Sequence, residues 1–228
     1  MEWQGRISGS DGVWGNAGAA RLIAVSDEGV VGQQPRNIPA KLLPEAVIPH
    51  ADHRETERID LGPIADLGGR DRLALIGFQH LNPHWDGVAI ILRDRVTQWA
   101  TLSAGELIHL QASATPQIVQ ALGLGRDDGT RIDPALMAQA LDRPERLLLL
   151  LHEAQGNAAK LGVLLGAEIG ATRTLWLGQQ AVLIGEGPLV QGYAKALQAA
   201  HVPVTLTDHP ALLHKGFQAL AATFDHPE

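Results

Sequence analysis

Four groups of residues in this chain have side chains, or backbone freedom, that could do chemistry. His80 and His84 precede Asp86 in the stretch GFQHLNPHWDG, and imidazole with carboxylate suits zinc or iron. The spacing is that of a loop and supplies no third ligand, so no metal is expected there. His80 is instead a candidate catalytic residue. Gly105 and Glu106 open the run GELIHLQAS, read as a helix, and an acid at that position is favoured by the helix dipole alone. Gly185 and Gly187 lie in LIGEGPL, between a strand-like and a helix-like run. A Gly-x-Gly in that place brings main chain close to a nucleotide. Arg54 and Glu55 sit in the charge-dense stretch HADHRETERID, of the kind that usually forms a solvated surface.

The elements that must position these residues are unevenly spread. Residues 1–70 are rich in Gly, Pro and charge, with one short strand-like run at Leu22 to Val25 and a second near Ala46 to Ile48. This front is expected to be irregular. From Leu73 the pattern predicts strands over 73–78, 87–93 and 95–102, then a helix from Gly105. Helical stretches follow over about 115–160, one of them with Asp133 as N-cap and Pro134 in its first turn. Gly162, Gly166 and Gly170 recur every four residues, as in a close-packing helix stripe. The chain then alternates: strand 181–185, helix, strand 203–207, helix.

Composition narrows the class. The chain has 228 residues, 45% of them hydrophobic, enough to bury a sizeable core. A net charge of −7 argues against nucleic acid as a partner, and the absence of cysteine removes disulfides, thiolate ligands and thiol nucleophiles. No apolar run approaches the ~18 residues needed to span a bilayer, and the first residues lack a signal-peptide pattern, so no membrane is expected and a cytoplasmic location is.

Three strands, a helix, a helical insertion and then alternating helix and strand make up the topology of the ribonuclease H-like unit. The chain also resembles the 2-dehydro-3-deoxygalactonokinase family, sugar kinases of the actin-like ATPase superfamily. Its Thr-Gly-Glu-Leu is similar to Ala104-Gly105-Glu106-Leu107, and its Gly-Leu-Leu-x-Gly-x-Glu helix to Gly162 through Glu168. Its late strand and Gly turn are similar to Leu183 through Leu189, its Pro-Gly-Thr-His-Ser-Lys-Trp loop to Gly77 through Trp85, and its Arg-Gly-Glu-Glu-Thr-Gln motif to Arg54 through Glu57.

The resemblance implies an α/β fold: a ribonuclease H-like C-terminal lobe over 71–228 with a mixed five-stranded sheet flanked by helices, behind a truncated N-terminal lobe in 1–70. It implies ATP and Mg²⁺ as cofactors and phosphorylation of a keto sugar acid at its 6-hydroxyl. Gly77, Gly105, Glu106, Gly185 and Gly187 would contact the nucleotide, and Arg54 and Glu55 the sugar acid or the chemistry. Two departures stand out. The family's Asp-Trp-Gly-Thr-Thr-Asn loop would fall before residue 1, and the Thr and Lys of the strand turn are replaced. They keep an alternative open, an inactive relative acting as a nucleotide-binding or assembly module. A truncated front would also leave apolar surface for a homodimer to cover.

Overall fold

The computed structural model describes residues 2–28, 37–44, 48–49, 57–124 and 131–225. In chain order the elements are β1 (Trp3–Ile7), β2 (Val13–Gly15), β3 (Arg21–Val25), β4 (Ala40–Lys41), β5 (Ile48–Pro49), β6 (Glu57–Leu61), α1 (Gly69–Leu81), β7 (Gly87–Leu92), β8 (Thr97–Ser103) and β9 (Glu106–Ser113). They continue as α2 (Thr115–Ala121), α3 (Pro134–Asp142), a 3-10 turn (Pro144–Arg146), α4 (Leu147–Glu153), α5 (Asn157–Ala171), α6 (Arg173–Trp176), β10 (Ala181–Ile184), α7 (Pro188–Ala199), β11 (Val204–Thr207) and α8 (His209–Asp225). Among the described residues no helix is long and apolar enough to cross a membrane.

The fold is mixed α/β and divides into two compact units. The first holds Met1–Asp86, Leu102–Leu110 and His209–Glu228; the second holds Gly87–Thr101 and Gln111–Asp208.

In the first unit the sheet order is β2-β1-β3-β6-β5, with β1, β3 and β6 parallel and β2 and β5 antiparallel at the edges. The front expected to be irregular therefore carries a five-stranded sheet. Its strands are too short for their alternation to stand out among the surrounding Gly and Pro, yet Ile7, Ile23, Val25, Ile59 and Leu61 all reach the core. Buried Arg72 fastens further backbone to this unit, donating from Nε to Leu42 O at 2.7 Å and from its two terminal nitrogens to Gly62 O at 3.0 Å and Lys41 O at 3.3 Å. His209 Nε2 lies 2.9 Å from Asp71 Oδ1, tying the start of α8 to the start of α1.

Two further expectations fail. Residues 73–78 form no strand but the middle of α1. A short apolar run cannot be told from a buried helix by periodicity, and residues 73 to 78 are all buried because α8 packs closely on α1. The run GELIHLQAS is strand β9, not a helix. Ala104 (φ 51°) and Gly105 (φ 79°) both take the left-handed conformation, the pattern of a two-residue hairpin turn. Asp86 Oδ1 holds that turn by accepting from Ala104 N–H at 2.7 Å.

In the second unit the strand order is β11-β10-β7-β8, and both late strands run parallel to β7 as the sequence predicts. Every residue of β7 and β10 is buried, which is why both read as continuous apolar runs. β7 turns into β8 through a tight connection closed by Arg93 N–H to Val96 O at 2.9 Å. Asp133 caps α3, its Oδ1 accepting from Ala135 N–H at 2.9 Å and Leu136 N–H at 3.0 Å. The glycine stripe of α5 faces α3 at backbone distance: a Cβ on Gly162 would stand 2.7 Å from Asp133 O, and those on Gly166 and Gly170 would meet Met137 O and Leu141 O closer still.

Candidate functional site

β7 and β10 are parallel neighbours, but β7 leaves by a hairpin and β10 by a helix. In open α/β sheets the crevice beyond the carboxyl ends of such strands is where ligands bind. A cavity of about 290 Å³ lies there. Leu92, Arg93 and Asp94 supply the β7 side, Pro116, Val119 and Gln120 of α2 a second wall, and Glu186, Pro188 and Leu189 the turn from β10 into α7. The volume is at the low end of the roughly 300–1,000 Å³ of small-molecule pockets, room for a nucleoside with its phosphates projecting outward.

The backbone of the β10–α7 turn suits that role. Gly187 takes φ 88° with no atom within 4 Å of where a Cβ would stand, and Pro188 follows at the first position of α7. Gly185 is tighter: a Cβ there would lie 3.0 Å from Val190 Cγ2 and 3.1 Å from Leu92 O. Apolar Leu92, Val119, Leu124 and Leu189 can flank a purine, Arg93 can reach phosphate, and Asp94 and Glu186 are the carboxylates at hand for a cation. Among the described residues no group of three or more metal-ligating side chains occurs. Mg²⁺ is typically held by one or two carboxylates together with substrate phosphates and water, so this donor set fits it.

Beside the cavity lies a buried polar network that the sequence does not announce. Glu168 on α5 is only 6% exposed. Its Oε1 accepts from Trp99 Nε1–H at 2.8 Å, and its Oε2 accepts from Tyr193 O–H at 2.7 Å and Ser113 O–H at 2.9 Å. Thr97 Oγ1 lies 2.8 Å from the Tyr193 hydroxyl, and Thr115 Oγ1 lies 2.9 Å from Ser113 Oγ. Burial first, and then the charge of Glu168, push the Tyr193 phenol well above its ordinary pKa. The sequence signals were a lone acid inside the apolar run GVLLGAEIGA and its place at the end of the stretch that resembles the family's Gly-Leu-Leu-x-Gly-x-Glu helix; neither named its partners.

The remaining sequence candidates fall elsewhere. Gly77 is at no strand turn; it lies inside α1, where a Cβ would run into Leu212 O of α8, so its small size serves helix packing. Gly105 lies in the β8–β9 turn, and Glu106 starts β9 opposite Lys41 rather than heading a helix. His80 is exposed in the last turn of α1. It lines a second hollow of about 450 Å³, in the first unit, together with Gln79, His84, Ala104 and Gly105. Arg54 and Glu55 lie outside the described residues.

The profile of the family described as 2-keto-3-deoxy-galactonokinase matches residues 88–220, more than half of the chain. A crystal structure from Sinorhizobium meliloti, of a protein assigned provisionally as a 2-dehydro-3-deoxygalactonokinase, aligns at 17% identity with a TM-score of 0.66, over 91% of this chain and 79% of that one. Two further solved structures align at a TM-score of 0.41. They are component A of the Acidaminococcus fermentans (R)-2-hydroxyglutaryl-CoA dehydratase, at 12% identity over 72% of this chain and 67% of that one, and the activator of the Clostridium difficile 2-hydroxyisocaproyl-CoA dehydratase with bound ADPNP, at 9% identity over 91% and 76%. No curated protein matches. With more than half its length matched by that profile, the chain belongs to the 2-keto-3-deoxy-galactonokinase family.

Proposed function

We propose that the protein is an ATP-dependent kinase that phosphorylates a keto sugar acid, 2-dehydro-3-deoxygalactonate or a close analogue, at its 6-hydroxyl in the cytoplasm. The observation that carries the reading is the cavity at the carboxyl ends of β7 and β10, with the open Gly187 turn at its edge, inside the span that the family profile matches. Gly187 lets the main chain approach the nucleotide while Gly185 packs the turn against Leu92 and Val190, the apolar wall takes the base, and Arg93 binds phosphate. Asp94 and Glu186 would hold Mg²⁺, which would supply charge neutralisation at the phosphate oxygens. The γ-phosphoryl group passes to the sugar hydroxyl, ADP departs, and a general base takes the hydroxyl proton, with Glu55 and His80 the candidate acceptors.

Calorimetry with ADP and Mg²⁺, followed by a coupled assay for ADP release with the keto sugar acid, tests this directly. Binding together with substrate-dependent ADP release is the expected result. ADP binding without turnover would leave a nucleotide-binding relative, and no binding at all would overturn the proposal.

A further inference from the structure

The Glu168 carboxyl receives three hydrogen bonds, from Trp99, Ser113 and Tyr193, and a carboxylate only accepts them. Every proton in its network must therefore point toward it. Tyr193 has a single hydroxyl proton and gives it to Glu168 Oε2, so Thr97 donates to Tyr193. Ser113 likewise gives its proton to Oε2, so it accepts both the hydroxyl of Thr115 and the Thr115 N–H at 3.3 Å. Trp99 can only donate, and does so to Oε1. The two chains that converge on the carboxylate come from different places. One ends at Thr115, the first residue of α2, next to Pro116 in the cavity wall; the other runs from Thr97 through Tyr193 on α7, the helix that begins at the cavity with Pro188.

We propose that Glu168 is a positioning residue: through Ser113 and Thr115 it fixes α2, and through Tyr193 it fixes α7, so that one carboxylate sets both helical walls of the nucleotide cavity. This rests on the nucleotide reading of that cavity. The role is one of hydrogen-bond geometry and needs neither the charge nor the bulk of the side chain as such. That makes it separable. In Glu168→Gln the amide oxygen can still take the Trp99 proton, and the two amide hydrogens match the two oxygens of Ser113 and Tyr193. The hydroxyls then reverse, Tyr193 donating to Thr97 and Ser113 to Thr115. Glu168→Leu keeps volume and cuts both chains, while Tyr193→Phe and Thr115→Val cut one each and keep shape.

The test measures ADP affinity by calorimetry and backbone amide exchange on the ligand-free full chain. Glu168→Leu is expected to raise the ADP dissociation constant by about tenfold or more and to speed exchange in both α2 and α7 while sparing α3. Glu168→Gln stays within about threefold of the parent, and Tyr193→Phe and Thr115→Val each loosen only their own helix, with about a fivefold loss of affinity. Parent-like binding by Glu168→Leu would overturn the proposal, as would Glu168→Gln failing as badly as Glu168→Leu, which would make the charge decisive. Uniform acceleration that includes α3 in the two single-chain variants would reduce the network to core support. If the parent itself takes up no ADP, the nucleotide reading fails on its own, and the exchange pattern still decides whether Glu168 positions the two helices.

Discussion

Gly77 of α1 and Gly216 of α8 face each other where the two helices cross. A Cβ on Gly77 would stand 2.7 Å from the backbone nitrogen of Gly216 and closer still to Leu212 O, and one on Gly216 would meet Leu73 O. Neither backbone can yield without separating the helices. Gly216→Ala and Gly77→Ala should each destabilise the protein by at least about 1–3 kcal/mol, the usual cost of overpacking, read as a lower urea midpoint with unchanged slope. ADP affinity of the folded Gly77→Ala fraction should match the parent. A selective loss of ADP binding at full stability would return Gly77 to the nucleotide contact that the family resemblance implied.

Arg72 makes a second demand on the first unit. Its guanidinium satisfies three main-chain carbonyls inside the fold, and hydrogen bonds from charged donors are worth about 1.5–3 kcal/mol each. Arg72→Met retains much of the aliphatic stem and leaves Leu42 O and Gly62 O without this donor. A loss of about 3 kcal/mol or more is expected in denaturant unfolding; a loss below about 1 kcal/mol would mean that water replaces the guanidinium at little cost.

The nucleotide cavity can be closed from its exposed wall. Gln120 is exposed on α2 and lines the cavity, so Gln120→Trp should fill it without disturbing the core. ADP and adenosine binding should both fall by at least about tenfold with stability changed by no more than about 0.5 kcal/mol. Arg93→Ala acts on one end of the ligand only. It should weaken ADP by about three- to tenfold and leave adenosine unchanged. Equal losses for the two ligands in Arg93→Ala would place the phosphates somewhere other than the β7–β8 turn.

Tyr193 offers a pH signature because it is the chain's single tyrosine. Its folded pKa is raised by burial first and by Glu168 second, whereas in the unfolded chain it ionises near the ordinary value of about 10. Above that value the unfolded state binds fewer protons than the native one, so stability falls as pH rises. The contribution is complete below about pH 10 and is lost progressively above it, toward the raised folded value. Tyrosinate absorbance should therefore appear together with loss of secondary structure rather than before it, and Tyr193→Phe should flatten the alkaline fall in stability. Titration near pH 10 in a protein whose circular dichroism is still native would contradict the burial.

The sequence alone determined whatever depended on uninterrupted local pattern. β7, β10 and β11 are short apolar or β-branched runs bounded by turns, and all three lie parallel where that pattern put them. Asp133-Pro134 announced the start of α3, and the four-residue glycine repeat announced a close helix pairing that α3 fulfils. Gly185 and Gly187 were legible as a strand-to-helix turn, since glycine's backbone freedom is a property of the residue itself. Tertiary structure decided the rest. LALIGF is apolar enough for a strand or a buried helix, and the choice fell to the α8 backbone pressed against Gly77. Ala104-Gly105 could open a helix or turn a hairpin, and the Asp86 carboxylate on Ala104 N–H holds the hairpin. Glu168 gave no local sign of its partners, because Trp99, Ser113 and Tyr193 lie 69, 55 and 25 residues away along the chain. Hydrogen bonds over such separations leave no period in the sequence; they exist only once the core has closed around the carboxylate and buried it.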